Sequence, residues 1–121
     1  GEALFPAGLT TDQPEQYLIG EFIRESVVFH TREEVPHGAG VVIEDYVDEE
    51  TMVKVKAALL VERDGHRPIL LGKGGSMIKL IGMRARQRLE ERLGVRFYLE
   101  LFVRVEQDWR NRPDLIAETG A

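Results

Sequence analysis

The sequence has no cysteine. That absence excludes a disulfide framework and a thiolate metal site, and it suits a reducing cytosol. No apolar run approaches the ~20 residues of a membrane span. The opening Gly1-Glu2-Ala3-Leu4 carries neither a basic region nor the apolar core of a signal peptide. Internal repeats and low-complexity tracts are lacking too. Histidine is scarce: His30, His37 and His66 stand apart, and no serine–histidine or cysteine pattern supports nucleophilic catalysis. His37, in a turn, and His66 read as surface residues rather than bases. What is left is an acidic chain of 121 residues, with 21 Asp and Glu against 16 Lys and Arg and a net charge of -5. Its length fits one domain with a real core, and its apolar and charged fractions are ordinary for a globular protein.

Basic residues are few in the first part of the chain, where residues 1–50 hold only Arg24 and Arg32. From Arg67 to Arg96 the balance reverses: Arg67, Lys73, Lys79, Arg84, Arg86, Arg88, Arg92 and Arg96 face only Glu90 and Glu91. The net charge therefore conceals a local positive stretch. It reads either as a solvated helix face or as an electrostatic footprint for a polyanion. The second reading gains from what lies inside it, Ile69-Leu70-Leu71-Gly72-Lys73-Gly74-Gly75-Ser76-Met77-Ile78. Glycines let a backbone turn tightly and approach a partner closely, and a helix start just after them favours anions. A Walker phosphate loop needs G-x-x-x-x-G-K-[ST]. No Lys-Ser or Lys-Thr pair follows a glycine here, so that loop is excluded. Gly72-Lys73-Gly74-Gly75 does fit the G-x-x-G spacing that clamps about four nucleotides of a single strand. The same four residues also fit a plain turn before a helix.

Around this loop the chain reads as α+β. Asp12, Pro14 and Glu15 open a helix. Ile19, Phe22, Ile23, Ser26, Val27 and His30 recur at helical spacing to about Thr31, and Pro36 and Gly38 close the unit. Val41–Val47 and Val53–Glu62 read as a hairpin across Asp48-Glu49-Glu50. Glu44, Asp45, Asp48, Glu49 and Glu50 are either a solvated turn or, less specifically, a magnesium site. Arg67–Leu71 reads as a short helix and Ser76–Leu93 as a long one, with Ile78, Ile81, Ala85, Leu89 and Leu93 as its buried stripe. Gly82 on that side allows close packing, and Lys79, Arg84, Arg86 and Arg88 lie off the stripe. Gly94 stops the helix. Val95–Glu106 is a third strand, reached by a crossover that implies a parallel pairing. Asn111-Arg112-Pro113-Asp114 opens a short last helix ending at Gly120. The result is a three-stranded mixed sheet with helices on one face, the opposite face being left open.

With these elements in place, the chain resembles the C-terminal, type II KH domain of the Era family of bacterial GTPases. The resemblance runs over nearly the whole chain. Thr11-Asp12-Gln13-Pro14-Glu15, Glu21-Phe22-Ile23-Arg24-Glu25 and Glu34-Val35-Pro36-His37 carry it in the first part. Ile78-Lys79-Leu80-Ile81-Gly82-Met83-Arg84-Ala85-Arg86, Leu99-Glu100-Leu101-Phe102-Val103-Arg104-Val105 and Trp109 carry it in the second. The helix residues around Arg24 and the Lys79-Leu80-Ile81-Gly82 step are not general KH features. The resemblance implies an α-β-β-α-α-β fold over residues 12–121, with residues 1–11 as the tail of a linker from a GTPase domain that this chain lacks. GTP and magnesium would belong to that absent domain: the chain has no switch motif and no Asn-Lys-x-Asp. No catalysis, cofactor or metal is then expected of the fragment. The implied partners are single-stranded ribosomal RNA near the 3′ end of the small-subunit RNA, the small ribosomal subunit during its assembly, and the GTPase domain, with no DNA. The implied location is cytoplasmic, with peripheral association of the parent at the inner membrane. Carried onto this chain, the clamp is Gly72, Lys73, Gly74 and Gly75, with Ile69, Leu71 and Ile78 beside the bases or, equally, in the core. Lys79, Arg86 and Arg84 are the implied phosphate partners. A glycine at position 74 makes the loop less charged than KH loops with two bases, which implies a modest affinity. The alternative is a protein-interaction module that docks on the ribosome or the GTPase domain without touching RNA.

Overall fold

The computed structural model describes residues 14–32 and 39–111. The Asp12 cap, the stop at Pro36 and Gly38, residue His37, the linker tail and the expected last helix lie outside these residues. Within them the order is α1 (Pro14–Thr31), β1 (Gly40–Asp48), β2 (Met52–Val61), α2 (Arg67–Leu71), α3 (Ser76–Leu93) and β3 (Arg96–Val105). The expected order and the mixed sheet are both present. None of these helices is long and apolar enough to cross a membrane.

The sheet order is β1-β2-β3. β1 pairs antiparallel with β2, with a bulge between Ile43 and Asp45. The hairpin is closed by Asp48, whose carboxylate accepts the Glu50 N–H at 3.0 Å, a side-chain turn that acidic residues favour. Glu49 pairs with Lys54 at 3.6 Å and Glu44 with Arg104 at 2.6 Å. Three of the cluster's carboxylates are thus engaged within the protein, by Lys54, Arg104 and the Glu50 N–H. β2 then runs through the α2–α3 crossover into β3, which lies parallel to it with Val53 opposite Phe97 and Val61 opposite Val105.

Strand alternation sends Val53, Val55, Ala57, Leu59 and Val61 to one face, where α1 and α3 cover them with Ile19, Ile23, Val27, Ile81, Ala85 and Leu89, all buried. Ser26 sits in the same seam and donates from Oγ to the Ile81 carbonyl at 2.7 Å, joining the two helices. The opposite face is not left open along its whole length. A 3₁₀ turn at Trp109–Asn111 lays the Trp109 ring over Val42, Ala58 and Leu60, with Phe102 beside them. The approach is so close that a Cβ on Gly40 would stand 2.8 Å from the ring. A lone aromatic beyond the last strand leaves no periodic trace, which is why the sequence does not announce this cover. The far end of that face stays polar, with Lys54 and Lys56 exposed.

Candidate nucleic-acid interface

The glycine loop is built from the end of α2. Leu70 is wholly buried and anchors that short helix, while Ile69 and Leu71 are half-buried against the core. The Gly72 N–H closes α2 on the Pro68 carbonyl at 2.8 Å, and the Gly72 carbonyl accepts the Gly75 N–H at 3.2 Å. Gly72 has φ 73 and ψ 174, a region that side chains do not adopt. A Cβ there would lie 2.6 Å from the Met77 nitrogen. Gly74 and Gly75 also have positive φ, 62 and 79, yet a Cβ on either would meet nothing within 4 Å. The first glycine is thus required by packing at the helix start. The other two leave the tip bare, with Lys73 and Gly74 in solvent. No side chain caps the start of α3, so its dipole end points into that bare tip.

From the tip, α3 presents three faces, because successive residues advance by about 100°. Ile81, Ala85 and Leu89 go to the core. Ile78, Lys79, Gly82, Met83 and Arg86 form one wall of a groove of about 410 Å³, within the ~300–1,000 Å³ usual for ligand clefts. The third face turns to α1. Arg84 lies there: its guanidinium stacks on the Phe29 ring at 3.6 Å and Nη2 donates to Glu25 at 3.3 Å, with Arg88 against the same Glu25 at 3.7 Å. Positions 84 and 86 differ by about 200° around the helix, so the structure brings Arg86 into the groove with Ile78 and Lys79 and takes Arg84 out of it. Ile78 serves both readings, since it packs on the core and lines the groove. Gly82 needs no special closeness, because a Cβ there would reach Leu101 only at an ordinary 3.6 Å.

The second wall, which the sequence did not reveal, is β3, through Tyr98, Leu99, Glu100 and Leu101. β3 is an edge strand. The Glu106 N–H, just past it, is given to Val61 of β2 at 2.8 Å, whereas the Phe97 N–H is given to the Glu90 carboxylate on α3 at 2.9 Å. By alternation, the N–H and C=O groups of Leu99 and Leu101 point away from β2, toward the groove. The only sequence clue was topological: a last strand reached by a crossover tends to finish at an edge.

Charge around the site is sorted in the same way. Among the described residues, Lys73 and Lys79 form no ion pair, while Arg86 Nη1 meets Glu90 Oε1 at 3.1 Å. On the α1 side, burial and the nearby Arg84 lower the pKa of His30 from its usual 6.5, with Glu25 opposing them. Its Nε2 is buried without a partner, so the neutral ring is the favoured form.

Comparison with known proteins agrees with this architecture. Residues 34–110 match the family described as KH domain. The chain is 48% identical over 123 residues to GTPase Era of Heliobacterium modesticaldum, covering 99% of this chain and 40% of that protein. It is 46% identical to GTPase Era of Trichlorobacter lovleyi, with 99% and 41% covered. Among solved structures, Aquifex aeolicus Era bound to GDP and aluminium fluoride superposes with a TM-score of 0.82 at 42% identity, covering 99% of this chain and 41% of that one. Era in complex with MgGDPNP and nucleotides 1506–1542 of 16S ribosomal RNA gives 0.81, also at 42% identity, over the same shares. The chain therefore spans about two-fifths of the length of these relatives. Because the matched span holds all three strands, α2, α3 and the glycine loop between them, the chain belongs to the KH-domain family.

Proposed function

We propose that this domain binds single-stranded RNA along the groove between α3 and β3, gripped at one end by Gly72, Lys73, Gly74 and Gly75. The observation that carries the reading is the bare loop tip, where a Cβ on Gly74 or Gly75 would meet nothing within 4 Å, at the uncapped start of α3. A phosphate can approach such backbone closely and meet a helix dipole, with Lys73 and Lys79 adding charge. Ile78 and Met83 offer apolar contact to bases, and the outward Leu99 and Leu101 peptide groups offer hydrogen bonds to base edges, which single strands leave free. A duplex, whose base edges are paired, has no such use for the groove.

The RNA is ribosomal and lies near the 3′ end of 16S RNA. Support comes from the 42%-identical Era structure that holds nucleotides 1506–1542. On this reading the domain is the RNA-binding part of an Era-like GTPase that assists small-subunit assembly in the cytoplasm, with the parent peripheral at the inner membrane. Residues 1–11 are its linker tail, GTP and magnesium belong to the other domain, and the fragment itself turns nothing over. Arg86 serves as a phosphate partner; Arg84 contributes to the field from the α1 side.

The test is titration of RNA 1506–1542 into the wild-type chain and into a Lys73→Asp, Gly74→Asp double variant. Asp tolerates the left-handed backbone at position 74 and meets open space there, so the fold is kept. Binding should fall at least tenfold in the variant, and wild-type log K should fall with log salt by ~0.7 per phosphate contact. Unchanged binding in a folded variant rejects the clamp. It would favour the docking module instead, for which Val28 on α1 and Leu80 on α3 are among the exposed apolar side chains.

A further inference from the structure

Glu90 belongs to neither the glycine loop nor the lining of the groove, yet it touches both walls. One carboxylate oxygen, Oε2, accepts the Phe97 N–H of β3 at 2.9 Å. The other, Oε1, accepts from Arg86 Nη1 of α3 at 3.1 Å. Only Gly94 and Val95 separate α3 from β3, and Gly94 holds φ 74 in the open, where a Cβ would meet nothing within 4 Å. The connection between the walls is short: Leu93 and Val95 pack on the core, while Gly94 between them stands open. The Glu90 carboxylate adds a polar tie between the two walls, one helical turn earlier.

We propose that Glu90 is the positioning residue of the groove: it sets the spacing of α3 from the β3 edge and holds the Arg86 guanidinium partly neutralised. Two consequences follow for RNA, and both rest on the single-strand reading above. Phosphate contacts position a strand, while base-edge contacts specify its sequence. The phosphate contacts lie on α3 and the loop; the base-edge groups lie on β3. A fixed distance between the walls therefore converts phosphate grip into sequence selection. Pairing with Glu90 also offsets part of the positive field of Arg86, which favours a directed hydrogen bond over indiscriminate attraction to any polyanion.

Two substitutions separate these roles. Glu90→Gln keeps an oxygen that can accept the Phe97 N–H but loses the charge. Glu90→Ala loses both. Binding of RNA 1506–1542 and of a scrambled RNA of equal length and composition is measured across a salt series, with hydrogen exchange of the Phe97 amide followed in parallel. Glu90→Gln is expected to bind both RNAs about threefold tighter at low salt, the freed guanidinium no longer shared with its exposed pair. Its salt slope should steepen by ~0.7, with Phe97 protection kept. Glu90→Ala is expected to steepen likewise, to lose Phe97 protection, and to lose most of the preference for the target over the scrambled RNA. A merely structural Glu90 would lower melting temperature while leaving salt slope and sequence preference unmoved, and that result overturns the proposal. So does a Phe97 amide equally protected in all three proteins. If the wild type binds neither RNA, the single-strand reading fails and this one with it. If the wild type binds and the variants match it, this one fails alone.

Discussion

Replacing Gly72 with alanine should damage the fold far more than the same change at Gly74, although both glycines belong to one loop. At Gly72 two costs add. The backbone pair φ 73, ψ 174 lies in a region essentially reserved for glycine, at about 1–3 kcal/mol for another residue. The new Cβ would also stand 2.6 Å from the Met77 nitrogen and 2.7 Å from its Cβ. The nitrogen is backbone within the first turn of α3, so relief requires moving the helix start, and forced overpacking of this kind costs about 1–3 kcal/mol. A loss of about 3 kcal/mol is expected. At Gly74, φ 62 and ψ 23 are left-handed helical values with open space around the Cβ, and the cost is about 1 kcal/mol. For a chain of 121 residues 1 kcal/mol corresponds to about 3–6 °C. Gly72→Ala should then melt at least ~9 °C below the wild type and Gly74→Ala within ~6 °C of it, by circular dichroism with urea titration as the second measure. RNA binding should move the other way at mild temperature: folded Gly74→Ala loses affinity because its methyl group occupies the tip. Equal melting temperatures for the two variants, or a larger loss at Gly74, would refute the division of labour within the loop.

Two further measurements probe regions away from the loop. Gly40→Ala places a Cβ 2.8–3.0 Å from three carbons of the Trp109 ring; the ring must swing out, at about 1–3 kcal/mol. Trp109 is the single tryptophan, so its fluorescence should shift to the red in the variant, and an unshifted spectrum with unchanged stability contradicts the packing. His30, its folded pKa lowered by burial and by Arg84, binds protons more readily when the chain is unfolded. Stability should therefore fall as pH drops through the unfolded value of about 6.5 toward the lower folded one. Subtracting the pH profile of a His30→Gln variant isolates this contribution, and parallel profiles would show that the ring is not held neutral.

How far the sequence was legible depends on whether a feature repeats. Strand and helix limits fall within about one residue of those expected, as for β3 at Arg96–Val105 against Val95–Glu106, because alternation and the helical period both sample many residues. The glycine turn was legible because its backbone, at φ 73 and ψ 174 for Gly72, needs a residue without a side chain. Partner choice was not. The period of α3 marks Arg84, Arg86 and Arg88 as off the core stripe, but not which polar side faces α1 and which the groove. That depends on Phe29 and Glu25, sixty positions earlier in the chain or nearly so, where Arg84 finds a ring and a carboxylate. Gly82 misled for a related reason: a glycine on a buried helical side suggests close packing, whereas here the groove beside it leaves room for a methyl group. The β3 wall is a consequence of strand order, which no local pattern encodes.

Strand order also resolves the apparent conflict between a net charge of -5 and an RNA ligand. The acidic turn at Asp48–Glu50 leads into Met52, which pairs with Arg96 at the start of β3. Glu50 and Thr51 accordingly share a shallow cleft with Gly94 and Arg96, just past the C-terminal end of α3. The glycine loop is at the other end of that helix. Eighteen residues at ~1.5 Å each separate the two by about 27 Å, more than three Debye lengths of ~8 Å at physiological salt. Several acids nearer the helices are matched: Glu21 by Arg24, Glu25 by Arg84 and Arg88, Glu90 by Arg86. What an approaching strand meets at the tip is Lys73, then Lys79, then the bare peptide dipoles, and the total charge of the chain has little bearing on that encounter.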